Sequence, residues 1–112
     1  MDQSQRILNV LMKDTVVPIH RHTETNESVI ILRGSGYEVV YEDVDGTPVE
    51  KERFLMRAGS DCAGVVVGRG EWHTFIPLED GTTIFEAKDR PYDPVATEEL
   101  FEDYISAQAI SR

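Results

Sequence analysis

A chain of 112 residues has length for one folded domain around one core and none to spare for a second. Acidic residues outnumber basic ones 21 to 11, giving a formal net charge of −10 without a Lys/Arg cluster, so nucleic acid and anionic lipid are excluded as partners. No run approaches the ~20 apolar residues that span a bilayer, and the start MDQSQRILNV lacks a leader pattern, so the expectation is a soluble cytoplasmic protein.

The predicted elements follow in chain order. The first dozen residues, with Ile7 to Met12 apolar, read equally as strand or helix. Apolar or alternating runs then recur at Val29–Leu32, Tyr37–Tyr41, Phe54–Met56, Val65–Val67, Thr74–Ile76 and Thr82–Ala87, an all-β spacing. Asp45-Gly46 and Asp80-Gly81 lie between such runs and carry the left-handed backbone angles of tight turns, so both are expected to reverse antiparallel hairpins. In Val29-Ile30-Ile31-Leu32 apolar side chains point to both faces, which predicts a strand covered on both sides, with a second subunit as the outer cover and hence a homodimer. The lone Cys62 has no basic neighbour and is read as a small structural thiol. Beyond Pro94 the pattern changes: Thr97-Glu98-Glu99 can start a helix, and Leu100, Phe101, Tyr104 and Ile105 recur at helical spacing. The expected fold is therefore a single all-β domain over residues 1–112, a barrel over roughly 4–90 and one C-terminal helix over roughly 96–110.

One constellation carries chemistry. Successive strand residues alternate faces, so His20 and His22 project together and Arg21 points away. If the chain turns through Thr23 to Asn26 and re-enters as a strand, Glu27 faces the same interior, and His73 follows the turn-like GRGEW segment to supply a third imidazole. Three neutral imidazoles and one carboxylate suit one divalent first-row ion such as Mn, Fe, Ni or Zn. Without an ion, a buried unpaired carboxylate would cost several kcal/mol. The predicted metal ligands are His20, His22, Glu27 and His73.

These residues reach a known pattern. His20-x-His22, four residues, Glu27, six residues, Gly34 resembles the first motif of the cupin superfamily, and Gly68-Arg69-Gly70-Glu71-Trp72-His73 resembles its second, with glycine in place of the leading proline. The blocks QRILNVL, PIHRH, EWHTFIPL and FEAKDRPYDP are similar to those of WbuC-type cupin metalloproteins from bacterial surface-polysaccharide clusters, over roughly residues 4 to 94. Arg90 stands where that family usually has glycine, and the C-terminal tail matches poorly. The resemblance implies a small double-stranded β-helix of the jelly-roll type, the same four ligands and a place in lipopolysaccharide biosynthesis.

A hairpin at Asp80-Gly81 would pair Phe75 with Glu86 and His73 with Lys88, bringing both charged residues to the metal's face. Glu86 is then the candidate catalytic base or an imidazole-orienting group, and a cross-strand ion pair with Lys88 is the structural alternative. Tyr37, Tyr41 and Tyr92 could offer hydroxyls, and Arg33 and Arg69 could hold an anion, whereas Trp72 must face away from the ligand beside it. Three functions fit: an isomerase or epimerase acting on a small polar, anionic sugar or sugar acid, a metal-dependent dioxygenase using the same ligands, or a non-catalytic binding module.

Overall fold

The computed structural model describes residues 5–89 and 98–100. Among them, strands β1 (Gln5–Leu11), β8 (Thr82–Lys88), β3 (Glu27–Arg33) and β6 (Gly64–Val67) lie side by side in that order in one antiparallel sheet. Strands β5 (Thr47–Arg57), β4 (Ser35–Val44), β7 (Trp72–Pro77), β2 (His20–His22) and β9 (Glu98–Leu100) form the second. The chain crosses repeatedly from one sheet to the other, as in a jelly roll, and no helix occurs among the described residues.

Each sheet turns an apolar face inward. Val29, Ile31, Met56, Phe75 and Ile84 form the core, with Leu11, Cys62, Ala63 and Val65 packed against it. At about 1.5–3 kcal/mol for each fully buried large apolar side chain, these contacts hold the sheets together. In β1, Gln5, Ile7, Asn9 and Leu11 are half-buried while Arg6, Leu8 and Val10 are exposed. That period of two makes the first segment a strand.

Asp45 and Gly46 both take positive φ, 52° and 85°, and Val44 pairs with Thr47, so this turn reverses a hairpin as expected. Asp80-Gly81 does not. Gly81 has φ 80°, but β7 pairs with β4 and β2, whereas β8 pairs with β1 and β3 in the opposite sheet. The turn residues set local backbone angles; they do not decide whether the flanking strands become neighbours. At the corner between β3 and β4, Gly34 has φ 80° and passes so close to Thr82 that a Cβ would lie 3.0 Å from its Cα.

Two further expectations change. Within the predicted C-terminal helix, Glu98–Leu100 is strand β9, paired with His20 to His22, because the open edge of β2 offers unmatched backbone groups that a helix start cannot satisfy. The remainder of that helix, residues 96–97 and 101–110, lies outside the described residues, as does Tyr92. In β3, Val29 and Ile31 are buried but Ile30 and Leu32 are exposed, so within one chain this strand is covered on one side.

Candidate functional site

The two sheets bring the four predicted ligands to one point. His20 and His22 come from β2 and His73 from β7, directly paired with His20, while Glu27 opens β3 in the facing sheet. Local bonds position them. The turn between β2 and β3 is tied down where Asn26 Oδ1 accepts from Arg69 N at 2.8 Å and Thr25 Oγ1 accepts from Asp89 N at 3.1 Å. His22 O accepts from Gly70 N at 2.8 Å, which holds the GRGEW loop against the same turn. Arg21 points to the other face, its guanidinium 4.5 Å from the Trp72 ring, so Trp72 is turned away from the ligands as its position beside His73 requires.

One potential donor atom from each of His20, His22, Glu27 and His73 lies within 4.8 Å of all the others. Donors bound ~2.1 Å from one ion stand no more than ~4.2 Å apart, so the widest-spaced of them would have to draw together to hold one. His22 Nε2, Glu27 Oε2 and His73 Nε2 are buried without a hydrogen-bond partner. His22 Nε2 does come within 3.1 Å of Glu27 Oε2, but without the alignment of a hydrogen bond. Glu27 Oε2 has the Lys88 ammonium 3.3 Å away, but two imidazole nitrogens left buried without a partner are costly, and a cation among the three atoms would satisfy them. The residues present therefore fit a divalent ion.

Protonation follows the same geometry. Burial pushes the imidazoles of His20 and His73 down to about 4, so both are neutral at pH 7 as ligands must be. Burial alone would raise the Glu27 carboxyl, but the close His22 ring and the charges of His73 and Lys88 outweigh it and hold it at about 2. His20 Nδ1 is bonded to Pro18 O at 2.7 Å, which assigns that nitrogen the proton and leaves Nε2 for the site.

Glu38 and Asn9 are the residues of the candidate site that sequence reasoning missed, and Glu38 stands against a ligand. It is buried on β4 with Oε1 2.6 Å from His73 Nδ1, a diagonal cross-strand contact, since His73 pairs with Val40 and Phe75 with Glu38. Burial, with the Glu27 charge adding to it, raises its carboxyl well above the usual range. A carboxyl against the remote nitrogen of a ligating imidazole fixes ring and tautomer. The available signal was an acid within the apolar stretch Tyr37-Glu38-Val39-Val40.

A chamber of about 200 Å³ adjoins the cluster, walled by Leu11, Val17, Val29, Phe75 and Ile84, with Asn9, Glu38 and Glu86 as polar groups beside His20, Glu27 and His73. Glu86 and Lys88 do reach the site, though not through the hairpin expected for them: they line the inner face of β8, across the interior from the histidines. Lys88 Nζ is 3.3 Å from Glu27 Oε2 and 3.6 Å from Glu86 Oε2, and Asn9 Nδ2 donates to Glu86 Oε1 at 3.1 Å. Burial and the Glu27 charge lift the Glu86 carboxyl to about 7. Tyr37, Tyr41, Arg33 and Arg69 do not line the chamber.

The fold is shared with solved proteins. The Mycobacterium tuberculosis rmlC epimerase superposes with a TM-score of 0.71 at 22% identity, covering 88% of this chain and 51% of that one. NovW, a 4-keto-6-deoxy sugar epimerase from Streptomyces spheroides, gives 0.71 at 24% identity with the same coverage, so this chain spans about half the length of either epimerase. A 3,4-ketoisomerase from Helicobacter canadensis gives 0.72 at 13% identity, covering 92% of this chain and 73% of that one. By sequence, no curated protein matches. A family model described as a domain of unknown function, DUF6016, matches residues 1–54, a span that includes His20, His22, Glu27 and Glu38. Together the two facing antiparallel sheets and these superpositions make the chain a cupin-like jelly roll.

Proposed function

We propose that this protein is a cytoplasmic cupin metalloprotein of the WbuC type that holds one divalent transition ion through His20, His22, Glu27 and His73. Its activity is isomerase or epimerase chemistry on a small sugar or sugar acid in surface-polysaccharide metabolism, and it works as a homodimer. The observation that carries the reading is the set of three buried orphaned atoms, His22 Nε2, Glu27 Oε2 and His73 Nε2, within a four-residue donor cluster. The sugar epimerases and ketoisomerases that share the fold support the reaction class.

When bound, such an ion supplies Lewis-acid polarisation of a ligand oxygen. The rest falls to the chain's own groups. Leu11, Val17, Val29, Phe75 and Ile84 give the chamber apolar walls, and its volume admits a monosaccharide-sized ligand. Glu86, at about 7, can hold or release a proton at neutral pH, and the Asn9 amide fixes the carboxyl's orientation. In an isomerisation it would take a proton from the carbon next to a carbonyl and return it to the neighbouring carbon on the same face, moving the carbonyl by one position. Lys88 lies close enough to offset the negative charge on Glu86 while its carboxyl is deprotonated.

Elemental analysis of protein purified without chelators tests the first part: about one equivalent of Mn, Fe, Ni or Zn is expected, and its loss in the His22→Ala/His73→Ala double variant. Incubating metal-loaded protein with candidate keto sugars in D2O tests the second, with solvent deuterium expected in the product. Protein that retains no ion after dialysis against each of the four would overturn the metal reading, and absence of exchange across the sugars would overturn the isomerase reading. Oxygen uptake during turnover would instead point to the dioxygenase, which shares every ligand.

A further inference from the structure

The chain has 11 lysines and arginines, and among the described residues one of them is buried: Lys88, 8% exposed. A lysine is seldom taken inside unless an opposite charge meets it. Lys88 ends β8 and is paired directly with Glu27 at the start of β3, so the two side chains share one face of the sheet. Its Nζ stands 3.3 Å from Glu27 Oε2 and 3.6 Å from Glu86 Oε2, and it does not line the chamber.

The contact with Glu27 is one of charge and not of directed bonding, since Oε2 is buried without a hydrogen-bond partner. The same oxygen lies 3.1 Å from His22 Nε2, a second proposed ligand atom. An ion bound to Oε2 at ~2.1 Å would lie within about 5.4 Å of Nζ. Two positive charges that close repel far more strongly in the interior than they would in water.

We propose that Lys88 is the counter-ion of the metal-free centre: its ammonium neutralises Glu27 until a divalent ion takes that carboxylate, and it thereby sets how tightly the ion is held. The inference rests on the metal reading above and adds to it a residue that acts on the ion through a ligand. Without Lys88, the metal-free centre would keep a buried carboxylate beside imidazoles that are neutral, an uncompensated charge. Because Oε2 accepts no hydrogen bond, an arriving ion breaks none there. Glu86, two residues away on the same strand, leaves the ammonium a partner once Glu27 is engaged. Ion and ammonium then share one carboxylate, so the centre holds the ion less tightly than its four donors alone would. A lysine that merely oriented Glu27 as a ligand would act in the opposite direction, since its loss would loosen the ion.

Zinc affinity, read by competition with a chromophoric chelator at neutral pH, tests the proposal. Lys88→Met keeps most of the apolar stem and removes the charge. It is expected to bind zinc roughly tenfold tighter than the wild type, or more, while its urea midpoint in EDTA falls below the wild-type value and zinc closes that gap. Lys51→Met removes the same charge from an exposed position on β5 and should leave zinc affinity unchanged. If Lys88→Met folds only with zinc present, Lys88→Gln, whose amide can still donate to Glu27, decides by the same measurement. A wild type that binds zinc, with affinity unchanged or weakened in the Lys88 variant, would overturn the counter-ion role and leave the metal reading standing. Zinc taken up by the variant and not by the wild type would support the role. Zinc taken up by neither would overturn the metal reading and this inference together.

Discussion

Glu38 and His73 share a proton question that the rest of the centre does not. Burial favours the neutral form of each, and Oε1 and Nδ1 are only 2.6 Å apart, so a proton between them serves both groups. With that proton on Nδ1, Nε2 presents its lone pair to the cluster. Glu38→Gln keeps an acceptor at that position but can no longer exchange the shared proton, and calorimetric titration with zinc should show affinity about 10–100-fold weaker than wild type. Glu86 has the opposite use of burial. Its folded pKa of about 7 lies above the ordinary 4.5, so the folded state binds its proton more tightly than the unfolded chain. Any stability it contributes is present below pH 4.5 and is lost as pH rises through 7. Glu86→Gln should therefore match wild type at pH 4 and exceed it by an amount on the order of 1–3 kcal/mol at pH 8, read from urea unfolding of chelator-treated protein.

Among the elements, the β3–β4 corner is the most demanding. Gly34 combines φ 80° with close passage over Thr82, whose Oγ1 would lie 2.5 Å from an added Cβ. Gly34→Ala should lower stability by about 2 kcal/mol or more through strain and overpacking together, with the urea midpoint as the measure. Most strands were legible in the sequence because half-buried sheet faces impose a period of two, and His20, His22, Glu27 and His73 were legible because their spacing fits strands separated by a short turn. Pairing was less so. Asp80-Gly81 has the same turn chemistry as Asp45-Gly46, yet one joins facing sheets and the other neighbouring strands, a choice made by distant partners. Glu86 reached the site by a route its local sequence does not encode. Glu38 and Asn9 went unseen because a lone polar residue in an alternating run acquires meaning only when the facing strand is known.

At the scale of the whole molecule, the interior responds to acid and to chelation. His20 and His73 titrate near 4 when folded and 6.5 when free, so each unfolded chain takes up two protons that the folded one refuses. Between about pH 4.5 and 6.5 those two protons are offset by the two that Glu38 and Glu86 hold only when folded, so the metal-free protein's stability should stay nearly level there and fall below about pH 4.5, where Glu27, held at about 2, refuses a further proton; circular dichroism melting follows it. An ion that binds only the folded chain adds about 2.7 kcal/mol at a hundredfold excess over its Kd, so EDTA should lower Tm by several degrees and zinc restore it. The ligands come from both sheets, three imidazoles from one and Glu27 from the other. A cation there would act as a rivet through the sandwich. Ion loss and parting of the sheets would then be one event, with exchange of the ion timed by opening of the barrel, not by the lifetime of any single bond.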